Sequence, residues 1–140
     1  MIASVLAALA SAACLATPVH GEVVRAGPFT GYVSPGYDVV DGRFRLHVGP
    51  YRVPGGLTQK IPWFVPLRYH VGDSLVVTGR RLGAPARTFR QTFARAYSPD
   101  SSNKHVFPSI ISPPSAGCCR LSFRSGRVTG VLTALVSNRP

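Results

Sequence analysis

Acidic side chains are scarce in this chain: five Asp and Glu stand against sixteen Lys and Arg in 140 residues, a formal charge of +11. Acid/base work on glycosides needs two carboxylates at one cleft. Past the N-terminal leader the acids are Glu22, Asp38, Asp41, Asp73 and Asp100, and the last four sit in turn-like surroundings. The sequence also lacks a Gly-x-Ser-x-Gly elbow, a phosphate loop and any nucleophile motif built around histidine. Its histidines beyond the leader, His47, His70 and His105, form no closely spaced pair, none follows Cys119, and the one methionine is Met1. The ligand pattern of a blue-copper sandwich is therefore missing. These absences lead us to expect no enzyme, no cofactor and no metal site.

Long apolar runs are confined to the N-terminus. Ile2 to Ala16 (IASVLAALASAACLA) is small, apolar and uncharged, and Thr17-Pro18 follows it directly. The run is shorter than the ~20 residues a spanning helix needs, so it reads as the hydrophobic part of an export signal, with Val19-His20-Gly21 as the small-residue cleavage zone. The expectation is a signal peptide over 1–21 and one domain over 22–140, secreted or periplasmic. A lipid anchor on Cys14 is the lesser alternative, because Ser11-Ala12-Ala13 lacks the large aliphatic residue usual before a lipid-carrying cysteine.

Cysteine is rare as well, with three in the chain. Removal of the leader leaves Cys118 and Cys119, which rules out a long-range disulfide within one mature chain. Neighbours on a strand point to opposite faces, so Cys119 is expected in the core and Cys118 outside it. Inert packing is the first expectation; a strained vicinal disulfide and a thiol- or metal-dependent site at Cys118-Cys119 are the alternatives. A Cys118/His105 nucleophile and base rests on proximity in sequence alone.

Helical periodicity is missing too, Arg87 to Tyr97 aside, in a chain with 14 Gly and 13 Pro. What is present is a series of short β-type runs between turn residues: Val23 to Val33, Arg43 to Val48, Trp63 to Tyr69, Ser74 to Leu82, Thr88 to Tyr97, His105 to Ile111, Cys118 to Phe123 and Val128 to Val136. Strict alternation puts Cys119, Leu121 and Phe123 on one face and Arg120, Ser122 and Arg124 on the other. Ser125-Gly126 is the turn candidate that returns the chain through Val128 to Val136. Such spacing favours an all-β antiparallel sandwich. Pro54-Gly55-Gly56 and Tyr97 to Lys104 read as loops.

The C-terminal block carries Val106-Phe107-Pro108-Ser109, then Gly117-Cys118, an alternating strand, and Arg124-Ser125-Gly126-Arg127-Val128. In these residues the chain resembles a group of bacterial secreted or lipid-anchored Ig-like proteins with no assigned activity. The likeness extends more weakly to Lys60-Ile61-Pro62-Trp63-Phe64 and the Val76 to Leu82 strand. It implies an Ig-like sandwich and supplies no catalytic residues, and it departs at Cys119, where the pattern has an aromatic residue.

Charge is unevenly spread. From Gly79 onward ten basic residues face one acid, Asp100, whereas residues 22–41 carry three acids and Arg25 alone. Arg80, Arg81, Arg90, Arg120, Arg124 and Arg127 are the candidate basic face, for anionic cell-envelope material, peripheral membrane contact or an acidic protein partner. Phe89, Arg90, Phe93, Arg95 and Tyr97 interleave aromatics with cations, as single-strand nucleic-acid surfaces do, but export leaves nucleic acid an unexpected partner. Trp63 and Phe64 suit either a ligand platform or a core plug.

Overall fold

The computed structural model describes residues 14–49, 60–97 and 103–138. Pro54-Gly55-Gly56, Asp100, Arg139 and most of the Tyr97 to Lys104 loop lie outside the described residues.

Among the described residues ten strands form: β1 Val23–Ala26, β2 Phe29–Tyr32, β3 Val39–Val40, β4 Arg43–His47, β5 Ile61–Pro66, β6 Ser74–Arg81, β7 Thr88–Ala94, β8 Lys104–Ser109, β9 Gly117–Ser125 and β10 Val128–Ser137. They build a four-stranded sheet in the order β1-β2-β5-β8 and a six-stranded sheet in the order β3-β4-β10-β9-β6-β7. All pairings are antiparallel except β4 with β10. The chain crosses between sheets after β2, β4, β5, β7 and β8, and β9 lies between β10 and β6. That is the Greek-key arrangement of an immunoglobulin-type sandwich, and the expected all-β architecture is what the molecule has.

Period-two burial explains each long strand. In β6 Leu75, Val77 and Gly79 face in while Thr78 and Arg80 face water, and in β9 Cys119, Leu121, Phe123 and Ser125 are buried between exposed neighbours. The inner faces meet on Phe29, Phe44, Trp63, Phe107 and Phe123, all essentially inaccessible. Trp63 of β5 and Phe123 of β9 stand edge to face at 4.5 Å between ring centroids, a tilted geometry that aromatic quadrupoles prefer. Trp63 is thus a core plug, and Phe64 points outward beneath Lys104, whose ammonium is 5.8 Å from its ring centroid.

Two serines of the C-terminal pattern acquire a physical reason. Trp63 Nε1–H donates to Ser109 Oγ at 2.9 Å, and Ser109 Oγ–H donates to the Ile61 carbonyl at 2.9 Å, so the one polar atom of the indole is satisfied in the core. Ser125 Oγ–H donates to the Ser74 carbonyl at 2.7 Å and accepts from Gly72 N–H at 3.0 Å, tying the β5–β6 connection to the C-terminal hairpin.

Two local expectations shift. Val23 to Val33 is a hairpin and not one strand, because Gly27 at φ 56° and Pro28 turn the chain between paired Ala26 and Phe29. Ser125 pairs with Val128, so the C-terminal turn is Gly126-Arg127 and not Ser125-Gly126, with the positive φ of 59° at Gly126. The outer side of β10 is partly open, with Val131 45% exposed.

Residues 14–20, assigned by the sequence reading to a discarded signal, are built into the sandwich. Thr17 N–H donates to the Thr133 carbonyl at 2.9 Å, Thr133 N–H donates to Thr17 Oγ1 at 2.8 Å, and Phe44 N–H donates to the Thr17 carbonyl at 2.8 Å. This strap fills the gap between β4 and β10 ahead of their parallel pairing.

Candidate anion-binding face

The outward side of the six-stranded sheet is set by cross-strand register. One row runs Thr88, Arg80, Arg120, Thr133; the next Arg90, Thr78, Ser122, Val131; the third Thr92, Val76, Arg124, Thr129. The twelve positions hold four arginines, six hydroxyl residues and two valines, and no acid. Strands about 4.8 Å apart and same-face rows about 6.7 Å apart spread the arginines over roughly 10 by 13 Å. Between them lies a depression of about 480 Å³ lined by Thr78, Arg90, Ser122, Arg124 and Thr129.

Arg80 and Arg120 are direct cross-strand partners. Like charges so placed destabilise a sheet, and among the described residues none of the four arginines has a carboxylate within ion-pair distance. Arg95 does, at 3.5 Å from Asp73, whose carboxylate also accepts from Tyr97 Oη–H at 2.9 Å. That pair is at the surface, where ion pairs contribute little.

Four of the six candidate arginines, Arg80, Arg90, Arg120 and Arg124, therefore share one face. Arg81 does not: it pairs with Cys119 in register, and its Nε would sit 2.8 Å from a Cβ placed on Gly117, so its stem fills the space a side chain would take. Arg127 sits in the C-terminal turn beside a second depression, of about 610 Å³, with Arg68, Tyr69 and His70. The threonine and serine floor went unnoticed in the sequence, although the same alternation that exposes Arg120 and Arg124 exposes Ser122. Phe89 and Phe93 pack against the core, on the opposite side of β7 from Arg90, so of the aromatic and cationic residues in that segment only Arg95 and Tyr97 stack, the guanidinium 4.5 Å from the ring centroid.

The cysteines are arranged differently from either alternative. Cys118 is joined to Cys14 across a sequence separation of 104, so the vicinal disulfide does not form and the Cys14 sulfur is not open to a lipid thioether. On the loop-entropy account a closure of that length contributes about 4–5 kcal/mol. Cys119 is free and buried, and burial pushes its thiol up from its ordinary value, which keeps it protonated and poorly nucleophilic. His105 lies in the four-stranded sheet with Nε2 3.0 Å from the Tyr69 carbonyl, in a different sheet from Cys118. Among the described residues no three or more His, Cys, Asp and Glu gather as metal ligands would, and no helix is long and apolar enough to cross a membrane.

Fold and face together define an all-β sandwich with a cationic sheet surface. No protein-family model, curated protein or solved structure matches the chain.

Proposed function

We propose that the protein is a non-enzymatic binding module that works outside the cytoplasm and uses Arg80, Arg90, Arg120 and Arg124 to hold anionic cell-envelope material. The observation that carries this reading is the acid-free grid: mutually repelling arginines stand on one sheet face with hydroxyl donors between them. Such an arrangement costs stability unless anions come to it. Its extent, on the order of 10 by 13 Å, is comparable to a Debye length of about 10 Å at 0.1 M salt. The four charges consequently act together on an extended polyanion or a headgroup layer. Export is supported by the apolar leader and by a disulfide, a bond that persists in oxidising compartments.

The test is co-sedimentation of the purified protein with anionic and neutral vesicles, and retention on a polyanionic glycan, at low and raised salt. Each arginine near an anionic surface contributes about 1 kcal/mol. Replacing all four by serine is therefore expected to weaken binding roughly a thousandfold, and 0.5 M salt to do much of the same. Binding that ignores both the replacements and the salt overturns the proposal. Retention on neither anionic surface, with salt-sensitive capture by an acidic protein, assigns the face to a protein partner instead.

A further inference from the structure

The strap of residues 14–20 is held as a structural element, although Leu15 within it is 70% exposed. Ala16 is 3% exposed, and its carbonyl accepts from Arg43 Nη1 at 2.7 Å. Val19 N–H donates to the Gly42 carbonyl at 2.8 Å, Pro18 bridges Arg43, and His20 bridges Val23. Without this strap Thr133 would lose partners for both its N–H and its carbonyl and Phe44 would lose the partner of its N–H, all from the middle of the six-stranded sheet. Buried backbone groups in that state are rare in folded proteins because each carries a desolvation penalty. The strap's first described residue, Cys14, is also half of the disulfide.

From this packing we infer that the export signal is cut at the Ala13–Cys14 bond, in place of the Gly21–Glu22 bond, and that Cys14 enters the mature protein as its first residue, oxidised onto Cys118. The sequence supplies the apolar stretch and the small-residue site of such a cut, without the basic residues that usually precede them. Ser11-Ala12-Ala13 places small residues at the first and third positions before the bond, and Ile2 to Ala10 remains as an apolar stretch of nine residues, inside the range of export signals. Hydrolysis adds water across the amide, leaving a carboxylate on Ala13 and an amine on Cys14. The thiols of Cys14 and Cys118 then give two electrons and two protons to a protein disulfide acting as oxidant, which leaves as a dithiol. A lipid thioether on Cys14 would occupy the same sulfur, so anchored and stapled forms are mutually exclusive. The inference shares the export half of the function proposed above and is independent of the ligand.

The experiment is expression of the full-length precursor in an exporting bacterial host, followed by intact mass, N-terminal sequencing and peptide mapping under non-reducing conditions. A chain that begins at Cys14 with a Cys14–Cys118 linked peptide is the expected result. A chain that begins at Glu22, an unprocessed precursor, or a diacylglyceryl mass on Cys14 overturns it. A second measurement does not depend on export: chains starting at Cys14 and at Glu22 are refolded under oxidising conditions and melted. The shorter chain is expected to melt roughly 10–20 °C lower or not to fold, and equal melting temperatures overturn the assignment of residues 14–20 to the domain. Vesicle binding reports separately on the arginine face, so a failure there leaves the processing result readable.

Discussion

At the scale of single residues, His47 links acidity to stability. It is 5% exposed in β4, and its Nε2–H donates to the Tyr37 carbonyl at 2.9 Å. Burial lowers its affinity for a proton below the ordinary value near 6.5, and the neighbouring Arg45 guanidinium adds to that, against an opposing contribution from the Tyr37 bond. The unfolded chain therefore binds the proton more readily than the folded one. The stability that results is fully present above about pH 6.5 and is lost as pH falls below it, by at most about 1.4 kcal/mol per pH unit. His47→Gln is expected to flatten the decline in urea midpoint between pH 7 and pH 5, and an unchanged slope would show that other groups govern it. Residues such as this resist sequence reading because a lone histidine looks the same whether buried or exposed. Ser109 and Ser125 were legible only as letters of a pattern; their work, satisfying an indole and a turn, depends on partners more than forty residues away.

Elements show why the strands could be read and their junctions could not. The alternation in β9 was plain from Cys119 to Arg124 because a half-buried strand must segregate its two sides. The short strand β3 escaped, although Asp41-Gly42 between Val40 and Arg43 is a hairpin signal, realised with φ of 51° and 73°. The junction of the two sheets was invisible. At Gly130 the Ala26 carbonyl comes so close that an added Cβ would lie 1.9 Å from its oxygen. Backbone on both sides leaves little room to yield. Gly130→Ala should destabilise the domain by about 1–3 kcal/mol, an overpacking cost, seen as a melting point lower by several degrees. Gly36, with nothing within 4 Å of its added Cβ, is the control; Gly36→Ala that lowers the melting point as much would refute the steric account.

For the molecule as a whole, the spacing of turn residues was enough to indicate a sandwich, because short one-sided strands have few ways to bury their apolar sides. Which arginines share a face was half legible. Arg120 and Arg124 follow from alternation, whereas Arg81 and Arg127 fall away because one lies a single residue out of phase and the other sits in a turn. The packing of residues 14–20 against β4 and β10 was not legible, because an apolar, uncharged N-terminus looks alike whether or not it folds against a sheet. The clustering of cations makes a further prediction about the isolated domain. Arg120→Thr removes one partner of the Arg80–Arg120 pair and should raise stability by roughly 0.2–1 kcal/mol at low ionic strength, a gain that shrinks as salt screens the repulsion. Loss of stability on that replacement, in thermal melts at 10 mM salt, would contradict the repulsion.

The sulfur bridge also acts as a gauge of alignment. Cys118 and Cys119 are adjacent, yet one looks outward to Cys14 and the other is sealed inside. Sliding β9 by one position against its neighbours would offer the wrong sulfur to Cys14 and, in the same movement, turn Arg120, Ser122 and Arg124 toward the interior. A correctly closed bridge therefore certifies that the cationic side chains face the solvent.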